Sequence, residues 1–440
     1  MLIGDIGLCL SYCWTSKPFF IPLYSMKKYI LVFIIALFGA AGSVAQTTGE
    51  DFDPARHSTF TTDRADGRFL SSRGISHRMM TGRPPRLQYR DGLDSAGLVA
   101  WRADVKKTME RLMYYPVPDS IPEPRKIWTR QRDGYRLEKW ESYPLDEAVV
   151  PYLVLVPDGV DDSNPVPAIL CIPGYGQTKE LLAGETDIDP DKSEVKDLAS
   201  AMARIYAREG YVAVAVDNPA FGETDDLEHL VGRKGDYVTF SRALLELGWS
   251  YLGYTQYVDR VILDWMKTQP GVRSDRIVVS GFSLGTEPLM AIGVTDPDIY
   301  AFVYNDFLCT TRERALVMTL PDAKGNRPWP NDIAHLIPGF LVEFDFPDLV
   351  AALSPRPVIC TEGGMDRDFS LVHHAFVTAG GPESFESHHY VKYADPSTRV
   401  PLDNMPEGIG KRTFFKLANV DTANHYFKAE LVLPWLRKIL

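Results

Sequence analysis

The chain has 440 residues, 45% hydrophobic and 24% charged, with a formal net charge of −11. This composition suits a globular protein with a large core and excludes a disordered or fibrous chain. The acidic balance, without a basic arm or cluster, argues against a nucleic-acid partner and against adhesion to an anionic surface.

Near the amino terminus, "MKKYILVFIIALFGAAGSVAQ" places Lys27 and Lys28 before an apolar run that ends in Ser43, Val44 and Ala45. This is the layout of a secretory signal peptide over 26–45. The run, about 14 residues, falls short of the roughly 20 that a membrane helix needs. The expected mature chain starts near Gln46, in the periplasm or outside the cell, with no membrane span after cleavage. Residues 1–25 read as a start site placed too early.

Residues 46–125 read as an N-terminal arm and helix. The arm, to about Gly92, is rich in Thr, Ser, Arg, Asp and Gly without a sustained period, which predicts extended chain. Leu98, Trp101, Val105, Met109 and Leu112 then recur at helical spacing behind a cap at Asp94 or Ser95. From 126 to 440 a single catalytic domain is expected. "YRLEKWESYPL" and "VVPYLVLVP" predict two antiparallel strands. After Pro167, short apolar runs ("PAILCIPG", "YVAVAVDN", "RIVVSGFS", "AFVYNDF", "RPVICTEGG", "HHYVKYA") alternate with helical stretches. The clearest helix carries Tyr254, Tyr257, Val258, Val261, Ile262, Trp265 and Met266. Alternation of this kind predicts an α/β class fold with a mostly parallel, doubly wound sheet. Leu308 to Asp345 is long for a connection and predicts an excursion over one sheet edge. Cys171, Cys309 and Cys360 lie in or beside apolar runs and read as buried, unpaired thiols. No C-x-x-C or H-E-x-x-H spacing occurs, so neither metal nor cofactor is expected.

"RIVVSGFSLGTEPLM" carries the chemistry. A buried strand, a serine between glycines two residues either side, and a helix describe the nucleophile elbow of an α/β-hydrolase, with Ser283 at its apex. A serine hydroxyl needs a general base, and the base an orienting acid, in the chain order Ser, acid, His. His57 and His77 lie in the arm, His373 and His374 in a helix, and His388 and His389 at the start of a strand. His425, in a loop before the final amphipathic helix, is the expected base. Asp366, after a buried strand and two glycines in "PVICTEGGMDRDF", is the expected acid. Asp306, ending "AFVYNDF", competes with it, while Glu362 and Asp368 fall outside. The oxyanion hole needs backbone N–H groups, expected from Leu284 and from Tyr175 in "PGYGQTKE". Tyr175, Phe282, Trp329 and Tyr426 are either sugar-stacking rings or core. Arg367 and Lys179 either grip a substrate carboxylate or are solvated charges.

Taken together, "GYRLEKWESYP", "ILCIPGYGQTKELLAGE", "YVAVAVDNPAFGE", "LLELGWSYLGYTQYVDRVILDWMK", "SGFSLGTEPLM", "YAFVYNDFLC", "TEGGMDRDF" and "NVDTANHYFKAELVLPWLRK" resemble secreted bacterial acetyl-xylan-esterase-like α/β-hydrolases of polysaccharide-utilisation systems. The resemblance spans about Leu98 to the C-terminus. It implies an esterase of decorated plant cell-wall polysaccharides with Ser283 as nucleophile and His425 as base. The better-defined deacetylases of this kind carry H-G-Y where this chain has Pro173-Gly174-Tyr175. They also carry an R-G-Q motif, missing here, and H-E where His425 precedes Tyr426. Both acetyl removal and methyl removal from uronates, as in pectin, therefore stand as expectations. A serine peptidase of the same fold, a lipase, or a polysaccharide-binding protein with a relic elbow are the rival classes.

Overall fold

The computed structural model describes residues 59–185, 200–225, 236–327 and 329–440. The expected leader at 26–45 and the segment before it lie outside the described residues. The chain divides into two compact units, Met1–Ile75 and Ser76–Leu440. In the first, Arg64 and Asp66 pair at 2.6 Å across a turn, and the Ser71 hydroxyl accepts the Gly74 N–H at 3.2 Å. That cap starts helix α1 (Ser72–Thr81), so the stretch expected to be extended contains a helix.

In the second unit the Asp94 side chain accepts the Gly97 N–H and opens α2 (Ser95–Leu112), whose buried face is Leu98, Trp101, Val105, Thr108 and Met109. Strands β1 (Arg125–Arg132), β2 (Tyr135–Ser142) and β3 (Val150–Pro157) follow as an antiparallel ribbon. β1 was not foreseen. Its burial is almost nil, so its sequence, RKIWTRQR, carries little hydrophobic period. The remaining elements alternate: β4 (Val166–Ile172), α3 (Lys179–Ala183), α4 (Met202–Arg208), β5 (Val212–Ala215), α5 (Tyr237–Glu246), α6 (Tyr251–Lys267), β6 (Val272–Phe282), α7 (Thr286–Thr295) and β7 (Ala301–Asn305). Then come α8 (Thr311–Val317), α9 (Phe340–Glu343), α10 (Phe346–Ala352), β8 (Val358–Cys360), α11 (Asp366–Thr378), β9 (Phe385–Ser387), α12 (Lys411–Leu417) and α13 (Ala429–Ile439).

The sheet order is β1-β2-β3-β5-β4-β6-β7-β8-β9, antiparallel as far as β5 and parallel from β5 to β9. Side-chain alternation splits the central strands between two cores. Ala168, Leu170 and Ile172 of β4 join the helices of one face, and Ile169 and Cys171 join those of the other. Strands covered on both sides must be apolar at every position, which is why they read as continuous runs. The chain leaves β4 for β5 on one side and returns to β6 on the other. The carboxyl ends of β4 and β6 therefore flank the switch point, where ligands of open α/β sheets bind.

One expectation needs correction. "HHYVKYA" is not a strand: the ladder ends at Ser387, and Val391–Tyr393 form a single 3-10 turn. Val391 is 96% exposed, while Tyr390 and Tyr393 pack with Met365 and Phe414 in a separate apolar cluster. The excursion after β7 carries α8, a 3-10 turn at Ile333–His335 and α9, and Ala334 packs with Phe221, Tyr237 and Tyr251. Cys171, Cys309 and Cys360 are buried and free. No helix among the described residues is long and apolar enough to cross a membrane.

Candidate active site

Ser283 directly follows β6 with φ +50°, in the left-handed region that a residue with a side chain rarely adopts. The two glycines explain how the turn is held. A Cβ on Gly281 would lie 2.4 Å from the Gly285 carbonyl oxygen, and one on Gly285 would lie 2.4 Å from that of Ile172. Strand, turn and helix thus touch backbone to backbone. The Thr286 hydroxyl donates to the Ser283 carbonyl at 2.7 Å and closes the turn.

The loop after β4 lies against this elbow. A Cβ on Gly174 would meet Phe282 Cδ1 at 2.7 Å and Ser283 Cβ at 3.1 Å. Gln177 accepts the Gly174 N–H at 2.9 Å, and the buried Asn218 amide donates to the Pro173 and Gly174 carbonyls at 3.1 and 3.2 Å. With its neighbours fixed and Gly176 at φ +73°, Tyr175 sits at the loop's apex. The residue is 54% exposed, and its ring meets Phe221 and Tyr237 edge-on at 5.5 and 5.3 Å.

Behind this loop lies Lys179, expected at the surface or on substrate. It is instead fully buried, within 2.9 Å of Asp217, Glu180 and Glu223. Asp217 also accepts the Lys179 backbone N–H, joining the start of α3 to the end of β5.

His425 lies in the loop before α13, its ring stacked on Phe282 at 4.6 Å, next to the serine. Its Nδ1 is 2.5 Å from Glu362 Oε2. Glu362 is fully buried, and its other oxygen accepts the Tyr426 N–H at 3.1 Å and faces Lys428 Nζ at 2.9 Å. Asn305, ending β7, anchors the same loop by accepting the Lys428 N–H and donating to the Tyr426 carbonyl. Burial pushes the His425 pKa down, but the bond to Glu362 and the nearby Asp306 charge outweigh it, so it stands above 6.5. Asp306, Glu362 and His425 each bring a polar atom within 4.8 Å of the others. Desolvation pushes Asp306 up to about 6 against the pull of His425.

The acid expected at Asp366 is displaced. Asp366 pairs with His389 and Arg399, each at 2.9 Å, rather than with His425. Gly363 and Gly364, at φ +73° and +146°, turn the chain away from β8 immediately after Glu362. A Cβ on Gly364 would lie 2.4 Å from the Leu308 oxygen. Glu362 therefore stays at the sheet edge while Asp366 is carried into α11. Arg367 is likewise no free grip: it pairs with Glu313, lies 3.5 Å from Asp368 and donates to the Asp403 carbonyl. Trp329 stands on the excursion, 39% exposed. Tyr426 contributes its backbone to Glu362, and Phe282 contributes its ring to His425. Glu362 was named among the acids but placed outside, and Lys428 and Asn305 were missed. The available signal was Glu362 directly ending the run "PVICTE" before two glycines.

A serine on a strained strand–helix elbow, beside a carboxylate-bound histidine at a sheet's switch point, defines an α/β-hydrolase. The sequence profile of the Abhydrolase family matches residues 51–438, and the chain belongs to that family. A protein of Bacteroides fragilis NCTC 9343, provisionally an acetyl xylan esterase, has a crystal structure 52% identical to this chain. It superposes with a TM-score of 0.83 over 88% of this chain and 100% of its own. More distant are an acetyl xylan esterase from Paenibacillus sp. R4 (15% identity, TM-score 0.46, 82% and 99% covered) and a glucuronoyl esterase from Solibacter usitatus (13%, 0.46, 68% and 86%). No curated protein sequence matches the chain. The chain is a carbohydrate-esterase-like α/β-hydrolase.

Proposed function

We propose that the protein is a secreted serine esterase that removes small ester groups, acetyl or uronate methyl, from plant cell-wall polysaccharides. The observation that carries this reading is the Glu362–His425 bond beside the elbow of Ser283. Ser283 Oγ attacks the ester carbonyl while His425 Nε2 takes its proton. Glu362 holds the opposite ring nitrogen and stabilises the imidazolium that forms. The Tyr175 and Leu284 N–H groups receive the oxyanion; one such donor is worth about 3–4 kcal/mol.

The tetrahedral intermediate collapses to an acyl-enzyme, and the alcohol departs with the proton from His425. Water, deprotonated by His425, then attacks the acyl carbon and Ser283 leaves with the proton. In deacetylation the acyl group is acetate and the polymer is the alcohol. In demethylation methanol leaves first and the uronate is held on Ser283. The leader-like segment at 26–45 supports a place outside the cytoplasm.

The test incubates the purified protein and its Ser283→Ala variant with acetylated xylan and with methyl-esterified pectin, quantifying acetate and methanol. Release that requires Ser283 supports the reading. Release that survives Ser283→Ala, or no release from either polymer by a folded protein, overturns it.

A further inference from the structure

Arg314, on α8, holds donor capacity that the protein does not use. Arg312, two residues earlier, donates to three carbonyls, those of Met80, Arg83 and Leu341, although its Nε also lacks a partner. Arg356 donates to those of Asp296 and Gly293, and Arg367 is bound to Glu313 and Asp403. Arg314 donates to one neutral group, the Asn331 side-chain oxygen, and its Nε is buried without a partner. No ion pair of Arg314 occurs among the described residues. A buried orphan donor on a guanidinium is costly to leave unmade, and the planar fork matches a carboxylate.

Its place is beside the proposed chemistry. α8 begins a few residues after Asp306, which lies with Glu362 and His425. Desolvation raises Asp306, and against the effect of burial Glu287 raises His335; the Arg314 charge opposes both rises. His335 Nδ1 in turn lies 2.6 Å from Glu287, on the first turn of the helix behind Ser283. Asn331 is itself buried, and the next residue, Asp332, accepts the Tyr237 hydroxyl at 2.9 Å. That bond ties the excursion to the aromatic group around Tyr175.

We propose that Arg314, oriented by Asn331, binds a free carboxylate of the substrate, so that the preferred polymer is an acidic, uronate-bearing glycan with a carboxylate next to the scissile ester. This inference rests on the esterase reading. A neutral acetylated chain would leave the guanidinium as unpaired as it is now. A uronate would supply two parallel charge-assisted bonds.

The test is calorimetric binding to the full chain carrying Ser283→Ala, which cannot turn over. The ligands are oligogalacturonate, glucuronate-bearing xylo-oligosaccharides, and the same oligosaccharides with their carboxyls reduced to alcohols. At least one acidic form should bind about tenfold more tightly than its reduced partner, the difference shrinking as salt is raised. Arg314→Gln should abolish that preference and Arg314→Lys should restore part of it. Asn331→Asp, which offers Arg314 an internal carboxylate, should abolish it with the arginine still in place. Equal binding of acidic and reduced forms, or a preference that survives Arg314→Gln in a protein with unchanged melting, overturns the inference. The two readings fail separately. Acid-selective binding without ester turnover by the wild type would sink the esterase and keep the subsite. Turnover without acid preference would do the reverse.

Discussion

Lys428 Nζ lies 2.9 Å from Glu362 Oε1, on the carboxylate whose other oxygen holds His425 Nδ1 at 2.5 Å. The cation also sits 3.3 Å from the centroid of the Tyr426 ring and donates to the Tyr426 carbonyl. One buried carboxylate thus ties His425 and the loop that carries it to the end of β8. A buried charge held this way is balanced, and removing any partner leaves the others exposed to desolvation.

The first expectation separates two carboxylates four residues apart. Glu362→Gln should lower kcat by about 10²–10⁴, within the range seen when the orienting acid of a triad is neutralised. Asp366→Asn, on the surface pair with His389 and Arg399, should stay within about threefold of wild type. Steady-state kinetics on a soluble aryl acetate reads both. The reverse ranking would return the acid to Asp366.

A second expectation concerns pH. His425 must be neutral to accept the serine proton, and its pKa in the protein lies above 6.5. Activity should therefore fall as pH drops through that raised value, giving kcat/KM an acid limb with its midpoint above 6.5. Glu362→Gln removes the bond that raises it, so the residual activity should show the limb at lower pH. A limb that does not move would mean that Glu362 is not what sets the base.

The elbow makes a third prediction. Gly285→Ala would place a methyl 2.4 Å from a backbone oxygen of β4, where no side chain can yield. The variant should lose several degrees of melting temperature or fail to accumulate. Gly174→Ala meets side-chain atoms of Phe282 and Ser283 instead. It should keep most of its stability while losing about tenfold or more in kcat, because the proposed oxyanion loop is pushed outward. Thermal melting beside kinetics distinguishes the two; equal melting losses would contradict the contact assignment.

The fourth concerns the cage around Lys179. Lys179→Met strands Asp217 and Glu180 in a buried site, at a cost of about 3–5 kcal/mol when one partner of such a pair is removed. Desolvation already pushes Glu180 up to about 7 and raises Asp217. Without the lysine both should protonate more readily, so the melting deficit should be larger at pH 8 than at pH 5. A deficit independent of pH would show that lost packing, rather than stranded charge, is the cause.

Much of this was legible because it is periodic or local. The apolar runs at β4, β6 and β7, the stripe on α6 and the glycine spacing around Ser283 each encode one element or turn. The choice of His425 among the histidines followed from chain order and a helix to its C-terminal side. What failed was long-range or compensated. Glu362 and Asp366 share one short loop, and only the left-handed turns at Gly363 and Gly364 decide which reaches His425. Lys179 looked like a surface cation because two of its three carboxylates, Asp217 and Glu223, come from the distant loop after β5. Strand β1 hid because an exposed edge strand needs no hydrophobic alternation.

That same strand has a consequence for how the protein lives with its own copies. β1 offers Arg125, Lys126, Arg130 and Arg132 along an open flank, and the opposite flank, β9, is only three residues long. A second chain adding itself to the first flank would set like charges side by side, and the second flank gives it almost nothing to pair with.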